Sequence, residues 1–282
     1  MNKTTTKLAD GRELLYYDTD DTSIRDVLDP RPLEPTTTLS EIRRDPATGD
    51  WVTIAAHRQG RTYHPPADQC PLCPSRNGRP GEIPAGAYEV AVFENRFPHS
   101  RSTPPPTSAA PTRPSAPAHP PRGGARSSAS PPTTGRASPT SLRSRPAWTD
   151  RTADLAARPG VQQVYCFENR GAEIGVTLAH PHGQIAAFPF VTPRTERVIT
   201  AAAEHRARTG GNLFENLLAA ERADGTHVVL AGEHWTAFVP FAARWPYEVH
   251  LYPHRRVPDL THLDEAERAE FPGLYLELLR PG

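Results

Sequence analysis

Cysteine and methionine are almost missing from this chain of 282 residues, with three of the first and one of the second. Three thiols cannot build a disulfide framework, which excludes a stapled secreted scaffold. Long apolar runs are missing as well. The opening residues MNKTTTKLADGRELLYY lack the apolar centre of a leader peptide, and no run of about 18 apolar residues follows, so no membrane-spanning helix is expected. Nor is there an excess of one charge. The 32 Lys and Arg balance 32 Asp and Glu, so the basic footprint of a nucleic-acid-binding domain is absent. What remains is a soluble, cytoplasmic protein with room for one large domain or two ordinary ones.

One stretch lacks far more. Residues 101–146 contain no Asp, Glu, Val, Ile or aromatic residue and a single leucine, Leu142. Proline, serine, threonine, alanine, arginine and glycine make up nearly all of it. Such a composition cannot bury enough apolar surface to offset its ordering entropy. Two readings stand: a proline-rich linker, or GC-rich coding DNA translated out of frame, which the abrupt edges favour. The chain thus divides into an N-terminal part (1–99), a low-complexity segment (100–146) and a second globular part (147–282).

Outside that segment the pattern is of strands and helices in alternation. Asp10-Gly11 between apolar runs signals a hairpin. Residues 18–40 are acidic and proline-rich, hence loop. GDWVTIAAHRQGR (49–61) reads as a strand ending in a basic loop, QCPLCPSRNGRPGE (69–82) as turns, and YEVAVFENRFP (88–98) as a strand. A helical pattern runs from Trp148 to Leu155 and another over 194–223, where Leu213, Leu217 and Leu218 fall at helical spacing. Two or three strands are expected over 226–256. A helix opening with Thr261 and Asp264 as a capping box follows, interrupted by Pro272. The chain then stops at LYLELLRPG soon after an apolar helical run, which reads as a shortened C-terminus.

Chemistry concentrates in AHPHGQIAAFPF (179–190). If it is extended, His180, His182 and Gln184 share one face, with Pro181 and Gly183 on the other. An imidazole is the usual neutral-pH nucleophile or proton carrier, and also a common metal ligand. Gln184 on the same face offers an amide N–H to a phosphate oxygen, and Gly183 lets a bulky anion approach. The plain alternative for an isolated H-x-H is a polar strand face with ordinary hydrogen bonds.

Cys70 and Cys73 form a C-x-x-C, half of a tetrahedral zinc site. No second C-x-x-C exists, so histidine would have to complete it, with His180 a candidate. A redox pair opening a helix, or two free thiols in a loop, are the rivals. Asn169, Arg170 and Gly175 in FENRGAEIG suit a sugar or phosphate, or simply a turn. Arg58 and Arg61 in HRQGR suit a phosphate clamp, or simple surface charge.

Together, RRDPATGDWVTIAAHRQGR, CPLC, VFENRFP, FENRGAEIGVTLAHPHGQI and EHWTAFVPFAARWPYEVHLYP resemble the galactose-1-phosphate uridylyltransferase family, a branch of the histidine-triad superfamily. The pieces cover most of 41–99 and 147–280. The H-P-H-G-Q signature is the most specific, since related histidine-triad hydrolases carry a third histidine where this family has glutamine. The resemblance implies an α+β fold, a HIT-like half-barrel of mostly antiparallel sheet with helices on its outer face. It implies a nucleotidyltransferase of galactose metabolism, in which His182 attacks UDP-glucose, a uridylyl-histidine forms, and galactose 1-phosphate is the acceptor, with Gln184 holding the phosphoryl oxygens. It further implies a Zn2+ site at Cys70, Cys73 and His180, and nucleotide contacts at Asn95, Arg96, Asn169, Gly175, Val176 and Thr177. A homodimer is implied by Arg58 and Arg61, whose loop in the family reaches the partner's site.

Two departures accompany the likeness. The family's fourth zinc ligand is a histidine from the region where 101–146 stands. Here that region holds only His119, in an unlike context, with His99 and His64 as weak substitutes. Family members also continue past the end of this chain. Other readings therefore stay open: a related nucleotidyltransferase or phosphorylase, or a zinc-stabilised nucleotide-binding copy without turnover.

Overall fold

The computed structural model describes residues 1–35, 41–44, 51–54, 66, 69–76, 78–95, 125–129, 145–169, 178 and 180–280. They form two compact units, Met1–Val191 and Thr192–Gly282.

The first unit is built on a six-stranded antiparallel sheet. Its strands are β1 (Asn2–Lys7), β2 (Glu13–Asp18), β5 (Val90–Glu94), β6 (Ala125–Ala129), β7 (Gln163–Glu168) and β8 (His182–Phe188). They lie in the order β1-β2-β5-β6-β8-β7. The β1–β2 hairpin forms where Asp10-Gly11 predicted it. Gly11 takes φ +82°, a region a side chain disfavours, and its amide donates to the Leu8 carbonyl at 2.9 Å. Strands β3 (Glu41–Arg44) and β4 (Trp51–Ile54) pair separately as a two-stranded antiparallel ladder.

Strand periodicity sorts the core into two faces. On β2, Leu14 and Tyr16 join a cluster with Leu8, Leu72, Ile83, Ala85, Tyr88, Ala91 and Phe93. Leu15 and Tyr17 point the other way, to Val90, Val92 and Ala147. The first face is covered by the turn-rich segment after Cys70. The second is covered by helix α1 (Arg145–Ala156), which packs against β7 and β8, its Leu155 meeting Ile185 and Ala187.

Polar ties fix both layers. Arg151, almost wholly buried, donates to the Tyr17 hydroxyl at 2.9 Å and to Asp150 at 2.6 Å. Asp150 also takes the Tyr17 hydroxyl at 2.6 Å and Lys3 at 2.9 Å. On the other face buried Arg12 donates to Asp10, to Glu82 (both 2.7 Å) and to the Glu94 carbonyl at 2.8 Å. The bonds of Tyr17 and Lys3 to the helix, and of Arg12 to Glu82 and Glu94, join the hairpin to segments far away in sequence.

The composition of 100–146 predicted no ordered element, yet Ala125–Ala129 is a strand between β5 and β8. Strand pairing uses main-chain amides and carbonyls, which this segment supplies at every residue except proline. The rest of 101–144 lies outside the described residues.

The second unit carries a three-stranded antiparallel sheet, β9 (Val228–Ala231), β10 (Trp235–Phe238) and β11 (His250–Pro253), with β10 central. The expected helix over 194–223 is two helices, α2 (Pro193–Thr209) and α3 (Leu213–Asp224). Gly210 takes φ 74° as the cap of α2, and Asn212 caps α3 by accepting from the Phe214 and Glu215 amides. Helix α4 (Glu265–Leu278) starts later than expected. Its capping box is Asp264 with Glu267, while Thr261 sits in a preceding 3-10 turn. Pro272 lies inside α4 rather than ending it, as Phe271 packs on Trp235 and Tyr275. No helix among the described residues is long and apolar enough to cross a membrane.

Candidate active site

Strand β8 holds the histidine motif in the register the sequence predicted for its extended part. His182 is level with Ala129 on β6 and, through it, with Ala91 on β5. Gln184 is level with Ser127 and Phe93. Paired residues of neighbouring strands share a face, so His182 and Gln184 lie on the Ala91–Phe93 face. That face carries the cysteine segment, whereas Ile185 and Ala187 turn to α1. His180 differs from expectation. It precedes β8 and is buried at a bend, and Leu178 before it packs into the same cluster as Cys70.

The cysteine segment is folded by close backbone contacts. The Cys73 amide turns back to the Cys70 carbonyl at 3.4 Å, and Glu82 N–H donates to the Pro71 carbonyl at 2.7 Å. Ser75 Oγ accepts from the Gly81 amide and donates to the Ile83 carbonyl. The Tyr88 hydroxyl donates to the Leu72 carbonyl at 2.8 Å. Gly81 is indispensable: a Cβ there would stand 2.9 Å from the carbonyl oxygens of both Cys73 and Pro71. Sequence reasoning saw only a turn glycine, because the close approach comes from a strand of chain eight and ten residues away.

These contacts bring Cys70, Cys73 and His180 together, with their ligand atoms all within 4.8 Å of one another. Cys73 Sγ is 3.5 Å from His180 Nδ1. Tetrahedral zinc with Zn–S of about 2.3 Å and Zn–N of about 2.05 Å has an S···N edge of about 3.6 Å, so the cluster fits a metal of that type. Burial, with Cys70 alongside, raises the Cys73 pKa, against the pull of Arg79 and Arg76. A bound cation would reverse that balance by favouring the thiolate. The C-x-x-C therefore sits in a turn-rich knuckle whose donor set could hold a metal, rather than at the start of a helix.

His182 is oriented from the same place. Its Nδ1 is 2.7 Å from the His180 carbonyl oxygen. A carbonyl can only accept, so Nδ1 carries the proton, and the neutral ring then presents the Nε2 lone pair. Gly183, buried beside it, adds no side chain. Asn169 is exposed just past Glu168, which is level with Gly183. Asn95 follows Glu94, which is level with Arg126 and thence Ile185. The two asparagines thus end strands on either side of the β6–β8 pair. Arg58, Arg61, Arg96, Gly175, Val176 and Thr177 lie outside the described residues, as do His64, His99 and His119.

An antiparallel sheet with helices, bearing this motif on one strand, is of the histidine-triad-like class. Two solved uridylyltransferase structures share it. One, 30% identical, superposes with a TM-score of 0.70 over 84% of this chain and 73% of its own. The other is 28% identical, with a TM-score of 0.68 over 84% of this chain and 72% of its own. Residues 31–192 match the family model for the galactose-1-phosphate uridyl transferase N-terminal domain, and 199–279 that for the C-terminal domain. A galactose-1-phosphate uridylyltransferase of Streptomyces lividans is 55% identical over 99% of this chain and 75% of its own length. That of Thermotoga maritima is 34% identical over 83% of this chain and 72% of its own. The chain belongs to the galactose-1-phosphate uridylyltransferase family.

Proposed function

We propose that this chain moves a uridylyl group from UDP-glucose to galactose 1-phosphate, with His182 as the covalent carrier. The observation that carries the reading is the 2.7 Å contact from His182 Nδ1 to the His180 carbonyl, which leaves Nε2 as the basic nitrogen. Nε2 attacks the α-phosphorus. The bond from that phosphorus to the bridging oxygen breaks, and glucose 1-phosphate leaves with the electron pair. A phosphate oxygen of galactose 1-phosphate then attacks the uridylyl-histidine, releasing UDP-galactose and restoring the imidazole. Such double displacement gives ping-pong kinetics.

Gln184, on the same face as His182 and two residues along β8, donates its amide to the non-bridging oxygens as charge builds there. An amide in this place holds phosphate without offering an acidic proton, which favours transfer over hydrolysis. Asn169 and Asn95, and the Arg96 and Gly175–Thr177 positions, serve the nucleotide in this reading. Arg58 and Arg61 reach the site of a partner subunit in a homodimer, and the protein works in the cytoplasm. Zn2+ is the metal assigned to Cys70, Cys73 and His180. There it would clamp the His180 ring and so steady the carbonyl that orients His182.

The test is intact and peptide mass analysis after incubation with UDP-glucose. A uridylyl adduct on the His182 peptide, discharged by galactose 1-phosphate, is expected. Discharge by inorganic phosphate instead would make the chain a phosphorylase. No adduct on folded protein would leave nucleotide binding without turnover.

A further inference from the structure

The second unit contains a cavity of about 210 Å³ lined by none of the residues assigned above to uridylyl transfer. Its apolar lining comes from Phe214 and Leu218 of α3 and from Tyr252, Pro253 and Val257 at the end of β11. The aromatic wall is fixed. Phe214 meets Tyr252 edge-on at 6.1 Å, and Tyr252 meets Phe238 edge-on at 5.3 Å.

Charge at the rim is one-sided. The lining includes His254, Arg255 and Arg256 but one carboxylate, Glu215. His254 and Arg255 are already engaged. The His254 ring is 2.8 Å from Thr236 Oγ1, and Arg255 grips Glu267 through two nitrogens at 3.0 and 2.7 Å. Arg256 is not. Its guanidinium lies 5.4 Å above the Phe214 ring, donates once, to the Val257 carbonyl, and has no carboxylate partner among the described residues. Two further cations act on the walls. Burial raises the Tyr252 pKa while Arg194 pulls it down, and burial followed by Arg222 lowers that of His254. The first-turn amides of Phe214 and Glu215 are spent on Asn212, so an anion here would be held by Arg256 rather than by the helix end.

We propose that this cavity is a binding site for a small organic anion with a flat apolar body, the body against Phe214 and Tyr252 and the anionic group against Arg256. A guanidinium parked over a ring, with donors to spare, meets such a ligand by charge-assisted hydrogen bonds and stacking together. The apolar lining supplies the remaining affinity. Because the site draws only on second-unit residues, it stands or falls apart from the reaction at His182.

Phenyl phosphate serves as the probe, titrated by calorimetry into the full chain, with inorganic phosphate and phenol as half-ligands. Saturable one-to-one binding is expected, at least tenfold tighter than either half. Arg256→Gln should weaken it at least tenfold, and Val257→Trp, which fills the cavity from its rim, should abolish it. His182→Ala should leave it unchanged, and Arg256→Gln should leave uridylyl transfer unchanged. Both cavity variants are checked for a native melting transition. Absence of saturable binding, loss of binding with His182→Ala, or undiminished binding by Arg256→Gln would each overturn the proposal.

Discussion

His182 and His180 are joined through backbone and ring at once. The His182 imidazole donates to the His180 carbonyl at 2.7 Å, and the His180 imidazole stands 3.5 Å from Cys73 Sγ. The cluster that could hold a metal and the proposed nucleophile thus share one residue. The ring of His180 serves the first and its peptide group serves the second. Orientation of the His182 ring is therefore tied to the cysteine segment being in place.

Cys73→Ser should lower bound metal per chain, measured by elemental analysis after dialysis against a chelator, and lower the melting temperature with it. Gly81→Ala should do the same without touching a ligand, because its Cβ would meet two carbonyl oxygens at 2.9 Å. Gly86→Ala is the control, its nearest neighbour being the Ser75 carbonyl at an ordinary 3.6 Å. Equal metal content in both alanine variants would sink the argument.

Gln184→Ala should form the uridylyl adduct about 100-fold more slowly, the usual cost of removing one donor to a developing oxyanion. Single-turnover mass analysis reads the rate. Unchanged adduct formation would remove Gln184 from the phosphoryl site.

Asp150 supplies a pH signature. Burial opposes its ionisation, but hydrogen bonds from Tyr17, Lys3 and Arg151 prevail and bring its pKa to about 2. An unfolded Asp titrates near about 3.9, so the folded value is the lower one. Its stabilisation is complete above that pH and fades as pH falls toward about 2. Asp150→Asn should melt lower than the wild type at pH 6, and the gap should close on acidification. A gap constant down to pH 2 would contradict this.

Arg12→Met removes the buried cation that Asp10 and Glu82 share, leaving Glu82 its second pairing with Arg31 at 3.2 Å. A loss of about 3–5 kcal/mol in urea unfolding is expected, as for other broken buried pairs. Adding Asp10→Asn to the same chain should return part of it, since contacting sites are not additive. A double variant as unstable as the sum of the singles would refute the coupling.

The hairpin at Asp10-Gly11, the turns around Cys70 and the extended stretch from His182 were legible in the sequence, because each is a local choice of backbone conformation, whereas His180 and Pro181 precede the strand. The break at Gly210 and Gly211 was legible in principle too, but the leucine spacing that follows it, at 213, 217 and 218, masked it. The α4 register was harder. Thr261 and Asp264 satisfy one capping pattern and Asp264 with Glu267 another, and the Arg255 ion pair with Glu267 selects the second. Pro272 inside α4 is tolerated because ring contacts of Phe271 hold the helix on both sides of the lost hydrogen bond. At the site, residue types pointed to the grouping of Cys70, Cys73 and His180. What they could not announce was that Gly81 closes the knuckle, since that contact exists only once the chain has turned back on itself.

Strand β6 changes what counts as a damaging substitution in 125–129. It alone stands between β5 and β8, and Ala129 is the residue paired with His182. The ladder asks of this stretch only its peptide groups, so exchanges among small side chains leave the wiring between the hairpin half of the sheet and the histidine strand intact. Proline is the exception. Placed at 128 or 129, in a neighbourhood already dense with it, it would delete an amide at the level of His182 or its neighbour and weaken the tie between the two halves of the sheet.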